Sequence, residues 1–156
     1  MQFENLVNDL KKGIGLVRVN AATELGRLRE RRAVPALIES LKDPNMALRS
    51  NAAFALGEIG ASEAAPRLID LLRDPEERVR KSVVKALGMI RAKEAVAPLI
   101  QVLDADNSRV IRKSALRSLG QIGDPKAFGA VERFISHADP TLADAAKKAS
   151  EMLKKQ

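Results

Sequence analysis

Apolar residues of this 156-residue chain recur at spacings of three and four, which is the period of an amphipathic α-helix. The clearest example lies between residues 48 and 72, where two such series are separated by a short break. The first series is Leu48, Ala52, Ala55, Leu56 and Ile59, and the second is Ala65, Leu68, Ile69 and Leu72. The pattern predicts two helices joined by a short turn, each with one face buried.

A motif that ends in Leu-Gly occurs four times, so the predicted helix pairs form a repeat. The four copies end at Gly26, Gly57, Gly88 and Gly120, and their leucines are 31, 31 and 32 residues apart. Repeats of this length bury their apolar faces against neighbouring repeats rather than in one central core. We therefore predict an all-α fold, a right-handed α-solenoid (superhelix) of stacked antiparallel helix pairs with repeats of about 31 residues.

The predicted organisation is a single domain over residues 1–156. It consists of a capping helix at 1–13, repeats at about 17–47, 48–78, 79–110 and 111–140, and a closing helix at 141–156. Asp-Pro pairs that begin at Asp43, Asp74 and Asp139 support these boundaries, because aspartate caps a helix and proline is tolerated in its first turn.

The turns that end the first helices divide into two types. Gly60 and Gly123 are expected to end their helices in the left-handed conformation that glycine adopts without strain. Arg29 and Arg91 occupy the equivalent positions in the other two repeats. Because arginine disfavours that conformation, we expect those two turns to close differently.

Further motifs connect the repeats to a known type. Val17-Arg18, Leu48-Arg49 and Val79-Arg80 lie ahead of the pattern Ala-Ala-x-x-Leu-Gly, and Ala-Val-Pro-x-Leu-Ile-x-x-Leu and Asp-Pro follow it. This pattern resembles the short HEAT-like repeat that is also found in phycobilin lyases, over nearly the whole chain. The fourth repeat departs from it, with an extra residue between 104 and 110 and with Phe128 near the start of a stretch that lacks proline.

The resemblance implies that the second helix of each pair lines a concave face. It also implies a role that stays open here, as an accessory or lyase-like subunit that handles a pigment or prosthetic group on a carrier protein. In similar repeats the row of arginines pairs with the aspartates between repeats. Asp43, Asp74 and Asp106 each lie six residues before Arg49, Arg80 and Arg112, which favours a structural ladder over phosphate binding and leaves Arg18 without an aspartate.

Equivalent positions on the second helices predict a partner-binding surface. Its predicted members are Glu39, Arg67, Asp70, Leu71, Pro98, Gln101, Val102, Arg133 and Phe134. Leu71, Val102 and Phe134 form an apolar strip beside polar and cationic neighbours, which suits a helix or an acidic peptide of a partner protein. The alternative is that these side chains complete the packing between repeats. The surface favours a non-catalytic protein-binding scaffold or adaptor.

The net charge of +7 is unevenly distributed. Residues 1–78 contain 12 basic and 12 acidic side chains, whereas residues 79–156 contain 15 and 8. Lys81, Lys85, Lys113 and Arg117 gather on the predicted convex side of the last two pairs. They predict an anion-binding module for nucleic acid or an acidic protein, with an unevenly solvated basic face as the alternative.

Residues for catalysis or metal binding are scarce. The chain has one histidine, His137, and no cysteine, so neither a histidine-based triad nor a His/Cys metal cluster can be assembled. We predict no catalytic residue, no metal and no cofactor. Because the N-terminus lacks the pattern of a signal peptide and no apolar run is long enough to span a membrane, we expect a cytoplasmic protein. Polar side chains on the first and last helices predict a monomer.

Overall fold

The computed structural model describes residues 2–155, which form α-helices and short 3₁₀ turns without a strand in that range. The predicted all-α solenoid is confirmed; Met1 and Gln156, at the ends of the predicted terminal helices, lie outside the described residues. The first helices of the pairs and the closing helix form one row. These helices are α2 (Leu16–Arg27), α4 (Met46–Ile59), α6 (Glu77–Ile90), α8 (Arg109–Ile122) and α10 (Pro140–Lys154). Consecutive members of this row pack against one another.

The second row is built from shorter helices. These are α1 (Gln2–Lys12), α3 (Val34–Ser40), α5 (Ala65–Asp70), α7 (Val96–Ala105) and α9 (Phe128–Glu132). Each contacts the first-row helix that follows it in the chain. A 3₁₀ turn precedes every one of them except α1, and another turn, Leu71–Arg73, continues α5. Because 3₁₀- and α-helices differ in the number of residues per turn, side chains beyond such a junction do not continue the register of the α-helix.

The leucines of the Leu-Gly motifs form the centre of the core. Leu25, Leu56, Leu87 and Leu119 are each 0% exposed. Burial of a leucine side chain contributes about 1.5–3 kcal/mol relative to exposure, so the repeated leucine stabilises every layer of the stack. The core is therefore continuous along the row of first helices, as the repeat spacing predicts.

The glycines of the same motifs lie where neighbouring first helices touch. A Cβ atom on Gly57 would lie 2.8 Å from Cα of Ala86, and one on Gly26 would lie 2.6 Å from Cα of Ala55. Both distances are shorter than van der Waals contact to a neighbouring backbone. Glycine thus lets successive helices approach at this point, where any side chain would push them apart.

All four turns that end the first helices contain a residue with positive φ. Gly60 and Gly123 have φ of 77° and 75°, as predicted. Arg29 and Arg91 have φ of 52° and 57°, so the expectation that their turns close differently is wrong. The N–H of Arg91 bonds to the carbonyls of Leu87 and Gly88, and such bonds hold the left-handed conformation against a cost of about 1–2 kcal/mol.

Candidate functional site

A ladder of arginine–aspartate ion pairs joins successive repeats. The pairs are Arg18–Asp43, Arg49–Asp74 and Arg80–Asp106, with nitrogen–oxygen distances of 2.6, 2.9 and 2.8 Å. Each arginine thus reaches the aspartate of the following linker, not the one six residues before it. The expectation that Arg18 lacks an aspartate is therefore wrong, and the predicted pairing is shifted by one repeat.

The aspartates six residues before Arg49 and Arg80 contribute their main-chain carbonyls instead. Nη1 of Arg49 donates to the carbonyl of Asp43, and Nη1 of Arg80 donates to the carbonyl of Asp74, both at 2.9 Å. Each of these arginines therefore ties two successive linkers together. The aspartates are themselves fixed, since Oδ1 of Asp74 accepts a 2.9 Å hydrogen bond from the N–H of Glu76.

This environment changes the acidity of Asp43. Burial alone would raise the pKa of its carboxyl, but the N–H of Asn45 and the guanidinium groups of Arg18 and Arg49 favour the charged form. The pKa of Asp43 is lowered as a result.

The ladder changes at the fourth repeat. Nε of Arg112 donates to the carbonyl of Leu103 at 2.9 Å, and its guanidinium lies 5.2 Å from the ring centroid of Phe134. Arg109 forms the ion pair there, with Nε 2.8 Å from Oδ2 of Asp139. This change in the pairing of the arginines occurs in the repeat that has the extra residue between 104 and 110.

A groove of about 1070 Å³ lies beside the ladder, between the end of α5 and α7. Four residues of the predicted partner-binding surface line it, namely Asp70, Pro98, Gln101 and Val102. Arg73, Asn107 and Ser108, from the segments that follow the two helices, also line it, as does Glu77 at the start of α6. We call this concavity the ladder groove, because Arg80, Asp74 and Asp106 also line it.

The structure corrects the predicted apolar strip. Val102 and Phe134 are only 7% and 5% exposed, and Leu71 is half-buried against the core. Phe134 stacks on the ring of His137, with centroids 5.5 Å apart. Leu71 and Phe134 lie just beyond the ends of α5 and α9, so the register of an ideal helix does not hold for them, whereas Val102 lies within α7 and faces the core. Packing between repeats, the alternative interpretation, accounts for Val102 and Phe134.

The other predicted members of the surface do not line the ladder groove. Glu39, Arg67 and Arg133 are exposed, and Nη1 of Arg133 lies 3.6 Å from Oδ1 of Asp104. The groove residues Arg73 and Asn107 are not among the predicted site residues. The sequence feature that could have identified them is their position next to Asp74 and Asp106, in the segments that follow the second helices.

The lining of the groove contains hydrogen-bonding groups and charges of both signs. Gln101 and Asn107 are exposed amides that both donate and accept, while Asp70, Arg73 and Glu77 are exposed charges. Within residues 2–155 no group of three or more His, Asp and Glu side chains could hold a metal ion. No helix in the same range is long and apolar enough to cross a membrane.

The four cations predicted on the convex side do come together. Lys81 and Lys85 lie one turn apart on α6, and Lys113 and Arg117 lie one turn apart on the adjacent α8. The pKa of Lys85 is lowered by burial and by the positive charges of Lys81 and Arg117. We call these four residues the basic patch.

Comparison with protein families gives one match, to a family described as HEAT repeats. Its model aligns with residues 4–83, 41–119 and 66–151, which together cover most of the chain. Comparison with curated proteins finds no match.

Solved structures with a similar fold include natural and designed repeat proteins. The complex of CpcE and CpcF of phycocyanin lyase from Nostoc sp. PCC7120 contains a chain with 31% identity and a TM-score of 0.88, covering 100% of this chain and 66% of that one. This chain therefore spans slightly less than two thirds of the lyase chain. A designed armadillo repeat protein in complex with the peptide (KR)4 has 24% identity and a TM-score of 0.77, covering 97% and 81% of the two chains. An engineered protein has 22% identity and a TM-score of 0.69, with coverage of 98% and 79%.

Proposed function

This chain belongs to the HEAT repeat family, and on that premise we propose that it is a non-catalytic scaffold that binds an extended segment of another protein in the ladder groove. One observation carries this proposal. A groove of about 1070 Å³ interrupts the row of second helices, and its lining combines hydrogen-bonding and charged groups with apolar side chains.

The size of the groove favours a peptide over a small molecule. Sites for small ligands usually enclose about 300–1000 Å³, and the volume of this groove, about 1070 Å³, slightly exceeds that range. An extended peptide has an N–H and a C=O at almost every residue, and both need partners when they leave water. The amides of Gln101 and Asn107 supply donors and acceptors, and Pro98 supplies an apolar surface.

The two walls of the groove are held in place before any partner binds. Nη1 of Arg80 donates to the carbonyl of Asp74 on one wall, and its Nε lies 2.8 Å from Oδ2 of Asp106 on the other. A site that is already ordered loses less conformational entropy on binding. The ladder therefore supports the proposal that this part of the stack is a preformed receptor.

A peptide selected on the native protein tests the proposal. Peptides are enriched from a displayed random library, and the affinity of the best one is measured by fluorescence anisotropy. Gln101→Ala combined with Asn107→Ala should weaken binding by about tenfold or more, because two hydrogen-bonding groups are lost.

The matched control changes two exposed amides of α1, Asn5→Ala with Asn8→Ala, which lie outside the ladder groove. This variant should bind with unchanged affinity. Failure to enrich any peptide, or equal binding by the groove variant and the native protein, would contradict the proposal.

A second candidate function rests on the likeness to the phycocyanin lyase complex, at 31% identity over the whole of this chain. We propose as the alternative an accessory or lyase-like subunit that handles a pigment or prosthetic group on a carrier protein. This role predicts that the visible absorption of a bilin shifts as the protein is added to it. A spectrum that stays constant throughout the titration would exclude the alternative in favour of the scaffold.

A further inference from the structure

The basic patch has no acidic partner among residues 2–155. Some exposed cations elsewhere in the chain have an acidic partner: Lys148 lies 3.2 Å from Asp144, and Arg27 lies 2.6 Å from Glu24. No ion pair of the described residues includes Lys81, Lys85, Lys113 or Arg117. The second half of the chain thus carries a cluster of like charges that the fold leaves uncompensated.

The spacing of the patch matches a helical partner. Residues four apart on a helix lie about 6 Å apart along its axis, and neighbouring helices lie about 8–10 Å apart. Lys81 and Lys85 therefore form one row of cations on α6, and Lys113 and Arg117 form a second row on the adjacent α8. Acidic side chains at three- and four-residue spacing on a helix bound over these rows would meet both of them.

Apolar side chains lie directly beside the cations. Phe54, on α4, occupies the position in its repeat that Lys85 occupies in the next, and Met89 follows Lys85 by one turn of α6. These two side chains are 39% and 40% exposed. Exposed aromatic and methionine side chains are typical anchors for the apolar face of a bound helix.

We propose that the basic patch, with Phe54 and Met89, is a docking surface for an acidic amphipathic helix of a partner protein. None of these six residues lines the ladder groove, so this contact is additional to the proposed peptide site. Charge complementarity requires that the partner helix carry acidic side chains at a spacing that matches the cations. The two apolar side chains require that this helix also have an apolar face.

Nucleic acid fits this surface less well than an acidic helix does. Proteins that hold single strands stack successive bases on aromatic side chains within a charged groove. The chain has four phenylalanines and no tyrosine or tryptophan. Of the phenylalanines, Phe134 is buried, and Phe3 and Phe128 are half-buried with Arg32 and Lys154 over their rings. Phe54 alone is insufficient as a stacking platform.

The test uses a fluorescein-labelled synthetic peptide with glutamates at helical i,i+4 spacing on one face and leucines on the other. At low salt the native protein should bind it with an affinity that falls steeply as salt is added. Lys81→Glu, Lys85→Glu, Lys113→Glu and Arg117→Glu together should weaken binding by about 100-fold, since attraction becomes repulsion. Glutamine at the same four positions removes the positive charges without reversing them and should weaken binding by about tenfold. This second variant keeps the test valid if the glutamate variant does not fold.

A control of identical net charge reverses Lys12, Lys93, Lys126 and Lys155, which are exposed and lie outside the patch. The affinity of this control for the peptide should stay within about threefold of the native value. Phe54→Ala combined with Met89→Ala should lower the affinity by about fivefold and leave its salt dependence unchanged. An equal loss in the control would show that only net charge matters and would overturn the proposal. No binding to the acidic peptide, or tighter binding to an oligothymidine strand, would overturn it as well.

Discussion

Each glycine of a Leu-Gly motif allows two neighbouring first helices to approach closely. Gly57→Ala places a Cβ 2.8 Å from Cα of Ala86. Because this neighbour is a backbone atom and cannot rotate away, the two helices must move apart. We expect this change to lower the free energy of unfolding by about 1–3 kcal/mol, the usual cost of overpacking. Urea denaturation followed by circular dichroism measures it.

Gly129, on α9, is the matched control for that experiment. A Cβ at this position meets no atom within 4 Å, and alanine favours a helix more than glycine does. Gly129→Ala should therefore raise the free energy of unfolding, by up to about 1 kcal/mol. A similar loss in both variants would mean that close helix approach is not the reason for the glycine at position 57.

At the residue scale, the environment of a residue can be predicted from the sequence where its type and position have a single physical explanation. Leucine at a fixed helical position must be buried, and the four motif leucines are. Arg29 and Arg91 could not be predicted in the same way, because the hydrogen bonds that favour their left-handed conformation arise only when the following turn packs. Arginine disfavours that conformation without forbidding it.

At the scale of elements, the arginine–aspartate ladder makes the stack sensitive to acid. The pKa of Asp43 is lowered in the folded protein, so its contribution to stability is present above the unfolded pKa of about 3.9 and is lost as pH falls through the folded value. Asp43→Asn removes this contribution. The melting temperature of the variant should therefore fall less than that of the native protein between about pH 6 and pH 3.

Asp144→Asn provides the comparison, because it removes a carboxylate from an exposed pair with Lys148. Exposed pairs contribute little to stability, so this variant should melt close to the native protein at neutral pH. If Asp43→Asn loses as much stability on acidification as the native protein, the ion pair with Arg18 is not what makes the fold acid-sensitive.

The ladder also shows what spacing along the chain can and cannot predict. Repetition identified the arginines and aspartates as partners, but Arg49 and Arg80 each have a linker aspartate on either side. Arg49 lies between Asp43 and Asp74, and only the stacking of helices places the second carboxylate, rather than the first, at the guanidinium. The same limit applies to Phe134, which lies just past the end of α9, because its burial depends on where the helix gives way to a turn.

At the scale of the whole molecule, the repeat gives two different surfaces. The row of second helices is interrupted by the ladder groove, while the row of first helices carries the basic patch beside Phe54 and Met89. The groove could be predicted in part, since Asp70, Pro98 and Gln101 were identified from their register in the repeat. Arg73 and Asn107 could not, because linkers between repeats follow no helical period.

Backbone amide chemical shifts measured by NMR during titration with the selected peptide show where a partner segment binds. Binding in the ladder groove predicts that the largest changes fall within residues 69–75 and 98–108, which form both walls of the groove. Changes concentrated on α1 or α10, or spread evenly along the chain, would contradict it.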